Sequence, residues 1–136
     1  MEVKFDEYLI STDKALLNKE TIYSFLARSY WASKRPIETI DKTIDNSVCF
    51  GVYHGSRQIG FARVVTDEAV IFWLGDVYID EEYRGKGIGK KLIETIVNFD
   101  KFKGLSGLLG TADAHGLYEQ YGYIKELEKC MIRKPV

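Results

Sequence analysis

The sequence predicts a single α/β domain built on a mixed sheet with helices on its faces, and three observations carry that prediction. The run over 70–79 (VIFWLGDVYI) is apolar for nearly its whole length, with Asp76 its only charge. Such a run suits a central strand covered on both sides. Ahead of it, VCFGVY (48–53) and QIGFARVV (58–65) flank the turn His54-Gly55-Ser56 and read as a β-hairpin. Behind it, positions 87–99 put Ile88, Leu92, Ile93, Ile96 and Val97 on one face and leave Lys90, Lys91, Glu94 and Asn98 to water, the pattern of an amphipathic helix.

The remaining elements follow in chain order. Residues 2–10 alternate loosely and suit an edge strand. From 18 to about 31, Ile22, Phe25, Leu26 and Tyr30 fall at helical spacing. Pro36 fits the first turn of a second short helix running to about 44. Thr66-Asp67-Glu68 turns the chain into the apolar strand. Residues 105–111 read as a further strand, 114–121 as a short helix with Asp113 as its N-cap and Gly122 as its stop, and 123–133 as a closing strand.

Bulk properties narrow the function. A chain of 136 residues suits one domain, 1–136, and 46% hydrophobic residues can fill one core. A formal charge of −1, from 19 basic and 20 acidic residues, gives no electrostatic footprint for nucleic acid or an anionic membrane. No apolar stretch approaches the roughly 20 residues that span a bilayer. The first residues, MEVKFDEYLISTDK, lack the apolar core of a secretory signal. Cys49 and Cys130 stand outside any CxxC pair and away from histidine at ligand spacing, so no metal is expected. They read as reduced core thiols, and the expected address is cytoplasmic.

The most informative segment is Tyr83-Arg84-Gly85-Lys86-Gly87-Ile88-Gly89-Lys90, which leaves a buried strand and opens an amphipathic helix. Free backbone N–H groups converge at such a helix start, where the macrodipole is positive, and glycines let a phosphate approach closely. Lys86 and Lys90 can add charge at the rim. The dinucleotide pattern GxGxxG fails because its third glycine falls on Lys90, and GxxxxGK[ST] fails at the same position. What fits is RxxGxG, from Arg84 through Gly87 to Gly89.

RxxGxG after a DVYI-type strand, followed by Leu117-Tyr118-Glu119-Gln120-Tyr121-Gly122-Tyr123, resembles the GNAT superfamily of acyl-CoA N-acyltransferases. The resemblance covers residues 48–123 well and the N-terminal helices loosely. It implies a mainly antiparallel central sheet in which one parallel strand pair splays apart to hold coenzyme A. It implies acetyl-CoA as co-substrate, with its diphosphate on the backbone of Arg84, Gly85, Lys86, Gly87, Ile88, Gly89 and Lys90. Its pantetheine arm would pair with the exposed edge at Val77, Tyr78 and Ile79, with a bulge near Gly75 and Asp76 opening that edge. Relatives often place an asparagine in the loop that here reads Thr111-Ala112-Asp113, so that contact has no counterpart. Domains of this size in the superfamily often form homodimers through the sheet edge or C-terminal strand.

Acetyl transfer to an amine needs a neutral amine, a stabilised carbonyl oxygen and a proton for the departing thiolate. Tyr118 matches the superfamily's tyrosine that protonates the sulfur; Tyr121 and Tyr123 read as packing. Asp76 is the base candidate, since a carboxylate in an apolar strand is expected to have a raised pKa; alternatively it is a structural partner for Arg63 or a loop amide. His115 is either a proton relay or a solvated helix-start residue. On the acceptor side, Tyr30, Trp31 and Arg35 form the substrate candidates, an aromatic pair followed by cations that suits an amine bearing a carboxylate or phosphate. The ordinary alternative is packing, with Lys34 and Arg35 in solvent. Phe72, Trp73 and Tyr78 are either cavity lining or core. The function expected is acetyl transfer to a primary amine of a metabolite or peptide, and the alternative is a non-catalytic acyl-CoA-binding module.

Overall fold

The computed structural model describes residues 1–126 and 128–135. Six strands form one sheet in sequence order: β1 (Glu2–Phe5), β2 (Tyr8–Ser11), β3 (Val48–His54), β4 (Arg57–Thr66), β5 (Ile71–Ile79) and β6 (Ser106–Leu109). The first four pairings are antiparallel and β5–β6 is parallel. The expected N-terminal edge strand is thus a hairpin, turned at Asp6, which takes a positive φ of 49°. Helices α1 (Lys19–Ala27), α2 (Ile37–Asp45), α3 (Ile88–Val97) and α4 (His115–Glu119) complete the domain. No described helix is long and apolar enough to cross a membrane.

Alternation along the strands builds two cores, one on each face of the sheet. Phe50, Val52, Ala62, Val64, Phe72 and Leu74 pack against α3 and its Ile88, Leu92, Ile93 and Ile96. On the other face, Cys49, Phe61 and Tyr78 meet Ile22, Phe25 and Leu26 of α1 and Ile40 and Ile44 of α2.

Strand β5 changes sides part-way along. Phe72 and Leu74 belong to the α3 core, so unbroken alternation would send position 78 there as well. Instead Tyr78 lies in the α1–α2 core, while Val77 and Ile79 pack on the α3 side. The cause is a bulge: Arg63 pairs with Gly75 and Phe61 with Tyr78, so β5 carries one residue more than β4 between those pairs. Asp76 absorbs it at φ 52°, a left-handed conformation that aspartate tolerates better than most residues.

Several boundaries differ from expectation. Helix α1 stops at Ala27, before Trp31, because the buried Ser29 hydroxyl donates to the Leu26 carbonyl (2.8 Å) and accepts from the Ala32 N–H (3.0 Å), folding the chain into a turn. Ala114, with no side-chain cap, precedes α4 in place of Asp113; the Thr111 hydroxyl receives the Ala114 N–H at 3.0 Å instead. No strand forms over 123–126 or 128–133, and position 127 lies outside the described residues. Lys125, Glu126, Glu128 and Lys129 leave this stretch without an apolar face, and Ile124, Met131 and Ile132 are 79%, 95% and 83% exposed. Cys49 is a core thiol, with burial first among the causes that push its pKa up to about 11, whereas Cys130 is exposed and is not a core residue.

Candidate active site

Strand β6 pairs with β5 only from Ile71 to Leu74. Beyond the bulge, the β6-facing edge of β5 from Gly75 to Ile79 has no strand partner among the described residues, and the two parallel strands part. A cavity of about 860 Å³ fills the gap, within the range of small-molecule sites. It runs from the glycine turn at the start of α3, along Val77–Ile79, to the turn that follows α1.

At one end, Gly85 and Gly87 take φ of 79° and 80°, and a Cβ built on either meets nothing within 4 Å. The turn is therefore open backbone, with Gly87 as the N-cap of α3. Gly89 differs: its added Cβ would sit 3.7 Å from Ile79 Cγ1, facing the strand. Arg84 braces the turn, its Nε donating to the Ile79 carbonyl at 2.9 Å and its guanidinium lying 4.9 Å from the Tyr78 ring centroid. Lys90 lines the cavity. Lys86 does not; its ammonium lies 5.4 Å from the Tyr83 ring centroid.

Midway, Tyr118 enters the cavity from α4, buried beside Tyr123 at a ring separation of 5.9 Å. Burial, then the nearby Tyr30 and Asp113, raises its pKa above the ordinary phenol value, and no hydrogen bond contributes. Its hydroxyl stays protonated through neutral pH without being committed to a protein acceptor.

At the far end the bulge aims Asp76 toward the α1–α2 face. Its Oδ1 accepts Trp31 Nε1 at 2.8 Å; its Oδ2 accepts Arg35 Nη1 at 2.8 Å and Arg63 Nε at 2.5 Å. Its side chain is 2% exposed. Burial alone would lift the carboxyl, but the hydrogen bond and charge of Arg63, joined by Arg35, override it and hold the pKa below the ordinary aspartate value. The expected raised pKa is thereby overturned: Asp76 is a paired carboxylate with occupied oxygens. Tyr30 and Trp31 stand edge to face at 5.0 Å, and the Tyr30 hydroxyl accepts the Ala112 N–H at 3.0 Å, tying the turn after α1 to the loop before α4.

The structure thus gathers Tyr30, Trp31, Arg35, Asp76–Ile79, Arg84, Gly85, Gly87–Lys90 and Tyr118 around one cavity and leaves Lys86 and Lys34 outside it. Phe72 is core, whereas Trp73 and Tyr78 line the cavity. Sequence reasoning missed Arg28, which follows α1, pairs with Glu81 at 2.8 Å and lies over the Phe25 and Tyr78 rings. Its only trace in the sequence is helical spacing from Phe25. Among the described residues no three metal-ligating side chains come together.

Residues 45–125 match the family model of the GNAT acetyltransferase domain. The chain belongs to the GNAT acetyltransferase family. Its fold superposes on a crystallised GNAT-family protein from Xanthomonas campestris with a TM-score of 0.91, at 36% identity over 97% of this chain and 96% of that one. This GNAT domain is also similar to the ycf52-like N-acetyltransferase of Prochlorococcus marinus, 34% identical over 74% of this chain. FG08082 of Gibberella zeae is 30% identical over 66% of it. The chain spans 60% and 62% of the length of those two relatives. A GNAT acetyltransferase from Elizabethkingia anophelis, crystallised with acetyl-CoA, shares the fold at a TM-score of 0.66 and 18% identity.

Proposed function

We propose that this domain transfers the acetyl group of acetyl-CoA directly to a primary amine, with both substrates bound together. The observation that carries the reading is the uncommitted, protonated Tyr118 hydroxyl, lining the same cavity as an open glycine turn and an unpaired strand edge.

The residues present fit the co-substrate. Gly85 and Gly87 leave room that a Cβ would fill, and the α3 N-terminus offers main-chain donors for a diphosphate. The edge at Val77–Ile79 offers main-chain groups for an extended amide-bearing arm. Bound there, acetyl-CoA supplies an activated thioester. Asp76, Arg35 and Trp31 hold one another in place at the acceptor end and are positioning residues; the carboxylate already accepts three hydrogen bonds, and its lowered pKa makes it a weak collector of a proton. The two guanidinium groups favour the neutral form of a nearby amine. As the amine nitrogen bonds to the carbonyl carbon, the C–S bond breaks, the nitrogen sheds its proton to water and Tyr118 gives its proton to the sulfur.

Thiol release from acetyl-CoA against a panel of amines tests this, with wild type and Tyr118→Phe compared. We expect amine-dependent release that falls about 100-fold or more in kcat in the variant, the ordinary worth of a positioned acid, with acetyl-CoA binding retained. Tight coenzyme binding without turnover on a broad panel would make the domain an acyl-CoA-binding module instead.

A further inference from the structure

The acceptor end of the cavity carries positive charge that its own residues leave uncompensated. Arg28 is fully engaged: Nε and Nη2 meet Glu81, and Nη1 meets Ser24. Arg63 gives Nε to Asp76 and Nη1 to the Ser47 hydroxyl. Arg35 is different. It donates Nη1 to Asp76, and its Nε and Nη2 have no partner among the described residues, although its side chain is only 22% exposed and lines the cavity. Asp76 already accepts from Trp31 at Oδ1 and from both arginines at Oδ2, and it carries a single negative charge. Two guanidinium groups therefore share one carboxylate, and an excess positive charge faces the place where an amine must arrive. A half-buried guanidinium with an unused pair of planar donors matches a carboxylate or phosphate in bidentate geometry. Around it stand aromatic faces: Tyr30, Trp31, Trp73 and Tyr78. The Tyr30–Ala112 hydrogen bond joins the two walls of the cavity and limits the room for a long chain to cross.

We infer that the acceptor is a small primary amine that also bears a carboxylate or phosphate, held by the free donors of Arg35 while its body packs on the aromatic walls. The inference rests on the acetyl-transfer reading above. A purely cationic acceptor such as a polyamine would meet repulsion, whereas an anion-bearing amine neutralises the excess as it docks.

Matched amine pairs decide it: phosphoethanolamine against ethanolamine, phenylalanine against phenylethylamine, and a short peptide amide with a free N-terminus. Each is assayed by thiol release with wild type, Arg35→Gln and Arg35→Lys. We expect at least one anion-bearing amine to exceed its neutral partner tenfold or more in kcat/KM, the two pairs telling phosphate from carboxylate. In Arg35→Gln that advantage collapses through KM, and Arg35→Lys recovers part of it. Should Arg35→Gln not fold, the wild-type pairs and the lysine variant still decide. Neutral amines or the peptide amide turned over as well as the anionic ones, or an advantage unmoved by Arg35→Gln, would overturn the inference while leaving acetyl transfer intact. Absence of release with every amine, despite coenzyme A binding by calorimetry, would instead remove the transfer reading and this inference with it.

Discussion

Gly87 offers the sharpest test of how the glycine turn works, because structure separates its backbone cost from its binding role. At φ 80° it is the N-cap of α3, and an added Cβ meets no atom within 4 Å. A side chain here therefore strains the backbone, by roughly 1–2 kcal/mol for an L-residue in the left-handed region, and otherwise projects into the open cradle. Gly87→Glu adds a negative charge to that cradle. A carboxylate about 5 Å from one phosphate charge, at an effective dielectric of about 20, is repelled by about 3 kcal/mol. That is roughly a hundredfold in affinity. Gly89 is the control. Its backbone is helical and its Cβ would rest 3.7 Å from Ile79 Cγ1, so Gly89→Ala turns toward the strand and should raise helix stability by about 0.5–1 kcal/mol. Isothermal titration with coenzyme A, beside thermal melts, should show Gly87→Glu folded, a few degrees less stable and at least a hundredfold weaker. Gly89→Ala should bind within about threefold of wild type and melt slightly higher, a shift of under 1 kcal/mol being worth a few degrees at this size. Unchanged coenzyme affinity in Gly87→Glu would refute the assignment of the turn.

Two further outcomes follow from the charged groups. The folded-state pKa of Asp76 lies below its unfolded value, so its stabilisation is complete above the unfolded aspartate range and is lost as pH falls through the folded value. Asp76→Asn leaves Arg35 and Arg63 facing each other and should cost about 3 kcal/mol at pH 7 by urea titration, with the gap between wild type and variant narrowing only as pH falls below the ordinary aspartate range toward the folded value; equal stability at pH 7 would show the pairing to be idle. For Tyr118 the shift is upward, so its donating form persists past pH 10 and the pH–rate profile should show no descending limb below that value. A limb with a lower midpoint that disappears in Tyr118→Phe would contradict this.

Those expectations mark what the chain spells out locally and what it does not. The apolar run with one aspartate told of a central strand, and Gly75 beside Asp76 placed its bulge, because both signals lie within ten consecutive residues. The glycine turn and Tyr118 were legible for the same reason. What escaped was long-range. The acidity of Asp76 comes first from Arg63 and then from Arg35, which lies 41 positions away and is brought close, with Trp31, by a turn that Ser29 closes. Burial, visible from sequence, pointed to a raised pKa; Arg63, the alternative partner that the sequence offered, reversed it together with Arg35, which the sequence did not place there. The strand expected over 123–133 failed for a different reason, since β propensity without an apolar face does not buy a place in a sheet.

The side-switch at Asp76 also divides β5 into two registers of constraint. Before it, even positions answer to the layer beneath α3; after it, odd positions do, and Tyr78 is released to the opposite layer. A single-residue deletion at this point would do more than straighten a strand. It would leave Tyr78 in its own layer, because Val77 then takes the vacated place in regular alternation, but it would withdraw the carboxylate that organises two arginines, so the loss would fall on the acceptor end of the cavity and not on the two interiors.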